Sequence, residues 1–312
     1  MLLIVPTDAP FQLDPTEGVE VLGYDPEADL TDAHLAADAA VVWGFASPII
    51  NQLLAAPGLR WIQTLTAGPD PVLAAGFPAE VQVTTGRGFH DETVAEHTVA
   101  LALAGLRQLP ECLNAQAEHR WAEELSGFRP LHDGKTLTTL IGARVTIWGF
   151  GSIGQTVAAR FAAFGAQVTG IARSAGERDG YPVRATEEVD EVLPDTDVLV
   201  LVLPKSPETD DVLDARRLAL LPDYAWVINV GRGNAIDEDA LADALHAGTL
   251  GGAGLDVMKT EPLPPESPLW DAPHVILTPH NAGGRPLHTK EFITDNLHRL
   301  LTGQSLRNLA AR

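Results

Sequence analysis

Short apolar runs alternate with segments of helical periodicity along the first hundred residues. The apolar runs predict five strands, over Leu2–Val5, Val19–Leu22, Ala39–Val42, Arg60–Thr64 and Val81–Thr84. Between them, helices are predicted near Thr31, from Ser47-Pro48, where a capping residue precedes a proline, and after Pro71. Alternation of this kind predicts a parallel sheet whose strands are joined by crossover helices.

The second half of the chain repeats the alternation after a long helical pattern, which we predict from Glu92 to Leu109 with Pro110 after its end. Predicted strands are Val145–Trp148, Val168–Ile171, Val198–Leu203, Ala225–Val230, Leu255–Val257 and Val275–Thr278. Helices are predicted near Thr186–Leu193 and over Asp237–Ala247. We therefore expect an α/β protein with two doubly wound parallel-sheet domains.

The strongest local pattern lies between Arg144 and Ser174. Gly149-x-Gly151-x-x-Gly154 directly follows a predicted strand and opens a helix, which Gly165 ends before the next strand. The first glycine permits a tight turn, the second lets a pyrophosphate approach the backbone, and the third lets helix and strand pack closely. Free N–H groups and the dipole at the helix start favour an anion. Because strand, turn, helix and second strand occur in register, the pattern predicts a dinucleotide site.

Length and composition fit this interpretation. A chain of 312 residues with 45% apolar residues is long enough for two domains. No apolar run approaches the roughly 20 residues of a membrane helix, and Met1–Val5 lacks the basic start of a signal peptide. The single cysteine, Cys112, excludes an internal disulfide and a cysteine-based metal site. We expect a cytoplasmic protein without a metal.

The net charge of −21 argues against nucleic acid or an anionic membrane as a partner. Seventeen arginines and only four lysines make up the 21 basic residues, against 42 acidic ones. Two explanations remain open: a surface adapted to high salt, or a genome that prefers arginine codons in an otherwise ordinary acidic enzyme.

Further motifs in the second half carry a family resemblance. They are Asn229-Val-Gly-Arg232-Gly, Leu255-Asp256-Val-Met-Lys-Thr-Glu261-Pro-Leu-Pro and Thr278-Pro-His280-Asn-Ala-Gly-Gly. With the glycine turn, Leu65–Asp70, Val94-Ala-Glu-His97 and Trp121, the series resembles the D-isomer-specific 2-hydroxyacid dehydrogenases over nearly the whole chain. The resemblance implies a Rossmann-type cofactor domain and a flavodoxin-like substrate domain.

Three residues of these motifs suit the reduction of a 2-keto acid. Arg232 offers a permanently charged fork for a carboxylate, or for a carbonyl and carboxylate together. An imidazole can exchange a proton under neutral conditions, so His280 could give a proton during reduction and take one during oxidation. Glu261 can orient the imidazole and favour its charged form. Each has a structural alternative alone, but all three follow successive sheet elements beside a dinucleotide site, so we predict them as the catalytic residues.

The resemblance implies further ligand contacts. The backbone N–H groups of Ala67 and Gly68 would hold the substrate carboxylate, and Trp43 would lie at the substrate. Ser152 and Ile153 would meet the pyrophosphate. The remaining cofactor contacts implied by the family are Pro204, Thr209, Val230, Gly231, Asp256 and Gly283.

The resemblance also implies domain limits and an assembly. Residues 1–93 and 280–312 would form a discontinuous substrate domain, and residues 94–279 the dinucleotide-binding domain, with the active site in the cleft that separates them. Closure of the cleft would exclude water. A homodimer formed through the cofactor domain is expected.

The residues after the second strand of the glycine motif predict the cofactor. A site that selects NAD places a carboxylate there, about 20 residues after the turn begins. Here Ala172 is followed by Arg173 and Ser174, a cation and a hydroxyl suited to a 2′-phosphate, and Arg178 is near in sequence. We therefore expect NADPH to be preferred, with NAD possible.

Several alternatives bear on the activity. Glyoxylate, hydroxypyruvate and phenylpyruvate are the expected types of 2-keto acid, and Trp43-Gly-Phe45 and the short C-terminal tail resemble the glyoxylate/hydroxypyruvate reductase group. A dinucleotide-sensing protein of the corepressor type would share the fold, as would an NAD-linked phosphoglycerate dehydrogenase, although the latter often carries extra C-terminal sequence. Formate dehydrogenases have Gln where Glu261 stands, and the turn lacks the Gly-x-Ser-x-Gly motif of hydrolases.

Overall fold

The computed structural model of the protein describes residues 1–44, 47–128, 131 and 133–310, so Phe45 of the Trp43-Gly-Phe45 segment lies outside the described residues. The chain divides into two compact units. The first comprises the described residues of Met1–His90 and Gly284–Arg312, and the second comprises those of Asp91–Gly283. The substrate role and the cofactor role expected for residues 1–93 with 280–312 and for 94–279 remain predictions.

The strands of the described residues are β1 (Leu2–Pro6), β2 (Glu20–Tyr24), β3 (Ala39–Val42), β4 (Trp61–Thr64), β5 (Gln82–Thr84), β6 (Arg144–Trp148), β7 (Gln167–Ala172), β8 (Gly176–Arg178), β9 (Tyr181–Ala185), β10 (Val198–Leu201), β11 (Trp226–Asn229), β12 (Gly252–Leu255) and β13 (Val275–Leu277).

The α-helices of the described residues are α1 (Asp32–Leu35), α2 (Pro48–Gln52), α3 (Asp70–Ala74), α4 (Asp91–Leu106), α5 (Leu109–Ala117), α6 (Ser152–Ala163), α7 (Val189–Val192), α8 (Ala215–Leu218), α9 (Glu238–Ala247) and α10 (Thr289–Leu301). Among these helices none has both the length and the apolar character needed to cross a lipid bilayer.

The first unit contains a parallel sheet of five strands in the order β2-β1-β3-β4-β5. Alternate residues of a strand point to opposite faces. In β3, Ala40 and Val42 pack into one apolar cluster, whereas Ala39 and Val41 pack into another. Both faces are therefore covered, which explains why β3 and β4 are continuous buried runs rather than alternating ones.

A buried polar network fastens the C-terminal helix α10 to the first sheet. Asn296 on α10 is fully buried, and its Nδ2 donates to Gln63 Oε1 at 3.4 Å. The same Gln63 oxygen accepts from the Thr84 hydroxyl at 2.7 Å, and Thr84 Oγ1 accepts from Trp61 Nε1 at 2.8 Å. Because each group has a partner, the network costs little to bury and fixes the returning chain in register.

The second unit contains an eight-stranded sheet in the order β13-β12-β11-β10-β6-β7-β9-β8, parallel except for β8. From β9 through β7, β6, β10 and β11 to β12 this is the order of a Rossmann sheet, and the chain reverses direction of winding between β6 and β10. Helices α4 and α6 supply side chains to one face, and α8 and α9 supply them to the other. The predicted class, an α/β fold with two doubly wound parallel sheets, is confirmed.

The single helix predicted over Glu92–Leu109 is wrong at its end. Helix α4 stops at Leu106, Gln108 adopts a left-handed φ of 52°, and α5 starts at Leu109. Pro110 therefore lies in the first turn of a new helix rather than beyond the end of an old one. A proline is tolerated there because the first N–H groups of a helix have no intrahelical acceptor.

The sequence pattern predicts a strand over Leu255–Val257, whereas β12 spans Gly252–Leu255. The pattern begins too late because the glycines of β12 have low strand propensity. Gly252 is required by packing: a Cβ there would lie 2.4 Å from the Trp226 ring, and one at Gly105 of α4 would lie 2.1 Å from the same ring. Trp226 thus fills space that two glycines leave open. The β8–β9 hairpin was not predicted.

A charged contact joins the amino-terminal ends of β6 and β10. Asp197, with 9% of its side chain exposed, accepts from Arg144 Nη2 at 2.8 Å, from its Nε at 3.3 Å and from its backbone N–H at 2.7 Å. Burial raises the pKa of Asp197, but the Arg144 donors outweigh it and the net pKa is lowered. Arg144 also reaches Asp195, whose side chain is 81% exposed.

We expect Asp197→Asn to lower the free energy of unfolding by about 2–3 kcal/mol at pH 7, because a partly buried guanidinium loses its anion. Since the folded-state pKa of Asp197 is lowered, this difference should be complete above about pH 5 and shrink as the pH falls below about 4. Urea unfolding at several pH values measures it. Asp195→Asn is the matched control, expected within about 0.5 kcal/mol of wild type; equal losses in both variants would contradict the prediction.

Candidate functional site

Loops at the carboxyl ends of neighbouring strands of the second sheet are packed backbone against backbone. Gly149, after β6, has a φ of +106°, and a Cβ on it would lie 2.4 Å from the carbonyl oxygen of Val202 after β10. A Cβ on Gly231, after β11, would lie 2.6 Å from the Leu203 nitrogen. Real side chains do not approach so closely, so only glycine permits these loops to meet at the sheet edge where open α/β sheets bind ligands.

The other two glycines of the turn differ from each other in their surroundings. A Cβ on Gly154 would lie 2.3 Å from the Gly149 carbonyl oxygen, so this glycine lets α6 approach the turn. Gly151 has a φ of −88°, and no described protein atom lies within 4 Å of the position its Cβ would take. Protein packing therefore explains Gly149 and Gly154 but not Gly151.

The start of α6 has the properties of an anion site. In the described part of the chain, the backbone N–H groups of Gly151, Ser152 and Ile153 have no hydrogen-bond partner, and Gly151 and Ser152 are exposed. These N–H groups and the helix dipole favour a phosphate. The open space beside Gly151 gives it access, so the turn fits the pyrophosphate of a dinucleotide.

The residues predicted to hold a 2′-phosphate lie just after β7. Arg173 and Ser174 are exposed, and Arg173 has no ion pair in the described ranges. Arg178 is already engaged, because it donates to the Phe150 carbonyl at 2.9 Å and to the Ser174 hydroxyl at 3.1 Å. Arg173 is thus the cation of this group that is free to bind a phosphate, while Arg178 supports the loop.

Arg232 lies on the loop after β11, and the buried amide of Asn229 holds that loop. The Asn229 oxygen accepts from the Gly231 N–H and its nitrogen donates to the Arg232 carbonyl, both at 3.1 Å. A Cβ on Gly233 would lie 1.9 Å from the carbonyl carbon of Met258, so this loop abuts the next one. The guanidinium itself, partly buried, donates to the Gly231 carbonyl at 2.8 Å.

Glu261 and His280 form the pair that the motifs predicted. Glu261 Oε2 lies 2.7 Å from His280 Nδ1, and its Oε1 accepts from the Met258 N–H at 3.0 Å. The two side chains are 37% and 39% exposed. With Nδ1 engaged by the carboxylate, His280 Nε2 has no hydrogen-bond partner among the residues that the structure describes, so it is available to a ligand.

The pKa of Glu261 has opposing causes. Burial raises it, whereas the hydrogen bonds from His280 and the Met258 N–H, together with the charges of His280 and Arg232, lower it further than burial raises it. The net direction is down. Glu261 is therefore ionised through the neutral range and presents a carboxylate to Nδ1 of His280.

Asp256 supports the loop that carries His280. Its side chain is 1% exposed; one oxygen accepts from the Thr278 hydroxyl at 2.6 Å and from the Asn281 N–H at 3.0 Å, and the other accepts from the Ala282 N–H at 3.0 Å. His97 of α4 lies 3.3 Å from the same carboxylate. These contacts make Asp256 a structural anion, and its predicted contact with the cofactor stays a prediction.

The other predicted cofactor residues occupy the same loops. Thr209 Oγ1 donates to the Pro204 carbonyl at 2.8 Å and accepts from the Ser206 N–H at 2.9 Å, so it closes the turn after β10. Pro204 is exposed, and Val230 is 7% exposed in the core beneath the Arg232 loop. Gly283, partly buried, follows the turn held by Asp256.

The predicted substrate loop belongs to the first unit. After β4, the carbonyls of Leu65 and Thr66 accept from His90 Nε2 at 2.7 Å and from the Gly86 N–H at 2.8 Å. With the carbonyls engaged, the N–H groups of Ala67 and Gly68 have no partner among the residues that the structure describes. Two adjacent free N–H groups suit a carboxylate.

Trp43 follows β3 in the same unit and is only partly buried. Its Nε1 donates to Asp8 Oδ1 at 2.9 Å, so its indole N–H is engaged within the protein. Its predicted place at the substrate stays a prediction.

Some supporting residues of the site are not indicated by the sequence patterns. Asn229 and His97 belong to the sequence motifs without a predicted role. Asn229 is a polar residue at the end of a buried strand, which is a usable signal, whereas His97 lies on helix α4. Asp91, which accepts a hydrogen bond from the Ser152 hydroxyl, lies 61 residues before it and carried no local signal.

Comparison with known proteins places these loops in a family. A family model described as the NAD binding domain of D-isomer specific 2-hydroxyacid dehydrogenases matches residues 99–282. The D-3-phosphoglycerate dehydrogenase of Mycobacterium bovis is 36% identical over 274 residues, which are 84% of this chain and 48% of that protein. This chain thus spans about half the length of that relative.

Two further similarities cover both chains almost fully. Glyoxylate/hydroxypyruvate reductase A of Escherichia fergusonii is 33% identical over 283 residues, which are 87% of this chain and 85% of that protein. The solved structure of an NADPH-dependent glyoxylate/hydroxypyruvate reductase from Sinorhizobium meliloti, in complex with NADP and sulfate, has a TM-score of 0.80 and 28% identity, covering 99% of this chain and 98% of that one.

The contrast between two glycines of the turn gives a test. We expect Gly154→Ala to lower the free energy of unfolding of the ligand-free protein by about 1–3 kcal/mol, because its Cβ meets the Gly149 carbonyl. Gly151→Ala should leave that free energy within about 0.5 kcal/mol of wild type, since the space is open and φ is ordinary. Urea unfolding measures both. A large loss in Gly151→Ala would show that protein packing, not a ligand, requires the second glycine.

Proposed function

Because the chain belongs to the D-isomer-specific 2-hydroxyacid dehydrogenase family, we propose that it reduces small 2-keto acids such as glyoxylate or hydroxypyruvate to D-2-hydroxy acids. The family comprises oxidoreductases of small 2-keto and 2-hydroxy acids with a nicotinamide dinucleotide. The observation that carries the proposal is the 2.7 Å pair of His280 and Glu261 on loops of the same sheet edge as the glycine turn.

In this proposal each residue has a defined task. A nicotinamide dinucleotide, when bound, supplies the hydride. His280 donates a proton from Nε2 to the oxygen that becomes the hydroxyl, and Glu261 orients the ring through Nδ1 and stabilises its charge. Arg232 binds the carboxylate and polarises the carbonyl, and its permanent charge suits both tasks. The free N–H groups of Ala67 and Gly68 hold the carboxylate.

The second compact unit is proposed as the dinucleotide-binding domain and the first as the substrate domain. A homodimer through the cofactor domain is proposed as well. It is supported by large apolar side chains exposed in that unit, among them Leu113 at 62% and Trp121 at 84%.

We propose NADPH as the preferred cofactor. Arg173, exposed and free of ion pairs in the described ranges, follows β7 where an NAD-selective site has a carboxylate. The structural relative from Sinorhizobium meliloti is described as NADPH-dependent, which agrees. Because the chain is also similar to a D-3-phosphoglycerate dehydrogenase, the assay should include a phosphorylated substrate. Rates with glyoxylate, hydroxypyruvate and 3-phosphohydroxypyruvate, each measured with NADPH and with NADH, distinguish the two activities.

His280→Ala should lower kcat for glyoxylate reduction about 100-fold or more and leave the NADPH dissociation constant within about twofold, because the proton donor is lost but no cofactor contact is. Glu261→Gln should shift the high-pH limb of kcat/KM to lower pH, since the imidazolium loses a partner that is ionised throughout the neutral range.

Stopped-flow and steady-state pH profiles measure these effects. Glu238→Gln is the matched control, because Glu238 accepts from the Lys259 N–H at 2.7 Å, whereas the carboxylate bonded to His280 is that of Glu261. Its profile should stay where the wild-type profile lies. An unmoved profile in Glu261→Gln would assign Glu261 to loop structure alone.

Ala172→Asp combined with Arg173→Ala should reverse the ratio of kcat/KM for NADPH to that for NADH, since the carboxylate repels the 2′-phosphate and the cation is gone. Arg173→Ala alone should lower kcat/KM for NADPH about tenfold and leave the value for NADH nearly unchanged. Equal values for both cofactors in the wild type would refute the preference.

A further inference from the structure

A carboxylate occupies the neighbourhood of the predicted pyrophosphate site. Asp91 is the first residue of α4, Ser152 is the first residue of α6, and the Ser152 hydroxyl donates a hydrogen bond to Asp91 Oδ2. The other oxygen of Asp91, Oδ1, is buried and has no hydrogen-bond partner in the part of the chain that the structure describes. Asp91 also has no ion pair among these residues.

Glu92, the next residue, shows what an ordinary surface acid does here. Its carboxylate is 50% exposed and forms an ion pair with Arg160 on α6. The two acids thus lie in the same helical turn and face the same helix. Glu92 is paired with the cation of Arg160, whereas Asp91 accepts from a hydroxyl at the start of α6.

The position of Asp91 matters because the start of α6 attracts anions. The free N–H groups of Ser152 and Ile153 and the helix dipole stabilise a negative charge there. In the structure, the carboxylate of Asp91 lies at that end of the helix, where it accepts a hydrogen bond from the Ser152 hydroxyl. A pyrophosphate would be stabilised by the same positive end of α6, but the Ser152 hydroxyl is already bonded to the Asp91 carboxylate. The pyrophosphate and Asp91 would therefore repel each other as two like charges at short distance.

We propose that Asp91 sets the affinity for the dinucleotide by competing with its pyrophosphate for Ser152 and for the positive end of α6. The inference rests on the proposed function, because it needs a dinucleotide at the glycine turn. Asp91 weakens binding of both NADPH and NADH, since both contain the pyrophosphate. The consequence for the enzyme is faster release of the spent cofactor, because affinity differences within one site appear mainly in the dissociation rate.

Titration calorimetry of the purified full chain with NADPH and with NADH tests the inference. Asp91→Asn keeps the shape of the side chain, and Asp91→Ser replaces it with a smaller polar one, so two different uncharged variants guard against misfolding of either one. We expect each to lower the dissociation constant of both cofactors about tenfold. Glu92→Gln, which removes a carboxylate from the same turn, should stay within about twofold of wild type.

The salt dependence gives a readout that a structural role would not move. Binding should weaken with added NaCl in every form of the protein, because phosphates are attracted to N–H groups and cations. In wild type, screening of the Asp91 repulsion offsets part of this loss. The plot of log Kd against log [NaCl] should therefore be steeper in both Asp91 variants and unchanged in Glu92→Gln.

The outcomes separate the inference from the proposed function. Dissociation constants and salt slopes equal to those of wild type, in Asp91 variants with wild-type circular dichroism, would overturn the inference while leaving the proposed function in place. Weaker binding in these variants would overturn it too, since Asp91 would then be orienting Ser152 for the phosphate. If the wild type and all variants bind neither cofactor, the proposed function fails and the inference falls with it.

Discussion

Close packing of backbone against backbone at the carboxyl edge of the second sheet is the constraint on which the site depends. Gly149, Gly231 and Gly233 each stand where a Cβ would overlap main-chain atoms of a neighbouring loop. Because glycine removes that overlap, the loops after β6, β10, β11 and β12 form one layer. This layer carries the side chains of Arg232 and Glu261, and the loop of His280 is joined to it by the bond of 2.9 Å from the His280 N–H to the Asp256 carbonyl. The placement of the three side chains therefore follows from main-chain contacts.

Carboxylates stabilise these loops by accepting hydrogen bonds from them. Burial raises the pKa of Asp256, but the hydrogen bonds from His97, the Thr278 hydroxyl and two backbone N–H groups outweigh it and lower the pKa. Glu261 similarly joins its own loop to His280. Asp91 differs, because the structure gives it one donor and leaves one buried oxygen without any in the described ranges. In a chain of net charge −21, this carboxylate stands where an anionic ligand is expected.

Local patterns predicted much of the fold and indicated the residues that we propose as catalytic. The strand–turn–helix of the glycine motif and the left-handed cap at Gly165 were predicted from adjacent residues, as were the parallel sheets. Other features depend on residues far apart in the chain, as β12 shows. Gly252 can lie in this strand beside Trp226 because a Cβ there would overlap the Trp226 ring. The pattern does not predict the break at Gln108, because a proline is found both after the end of a helix and in the first turn of a new one.

The sequence by itself determined the fold class, the glycine turn and the side chains that we propose as catalytic, because these depend on residue types at short and regular spacing. Tertiary structure alone decided which groups support or oppose them. His97 reaches Thr278 across 181 residues, and Asp91 reaches Ser152 across 61. Such contacts form only when helices and loops distant in the chain are packed together, and no local pattern encodes that distance. Residue types at short spacing therefore indicate the proposed chemistry, whereas packing between distant segments decides which groups support or oppose it.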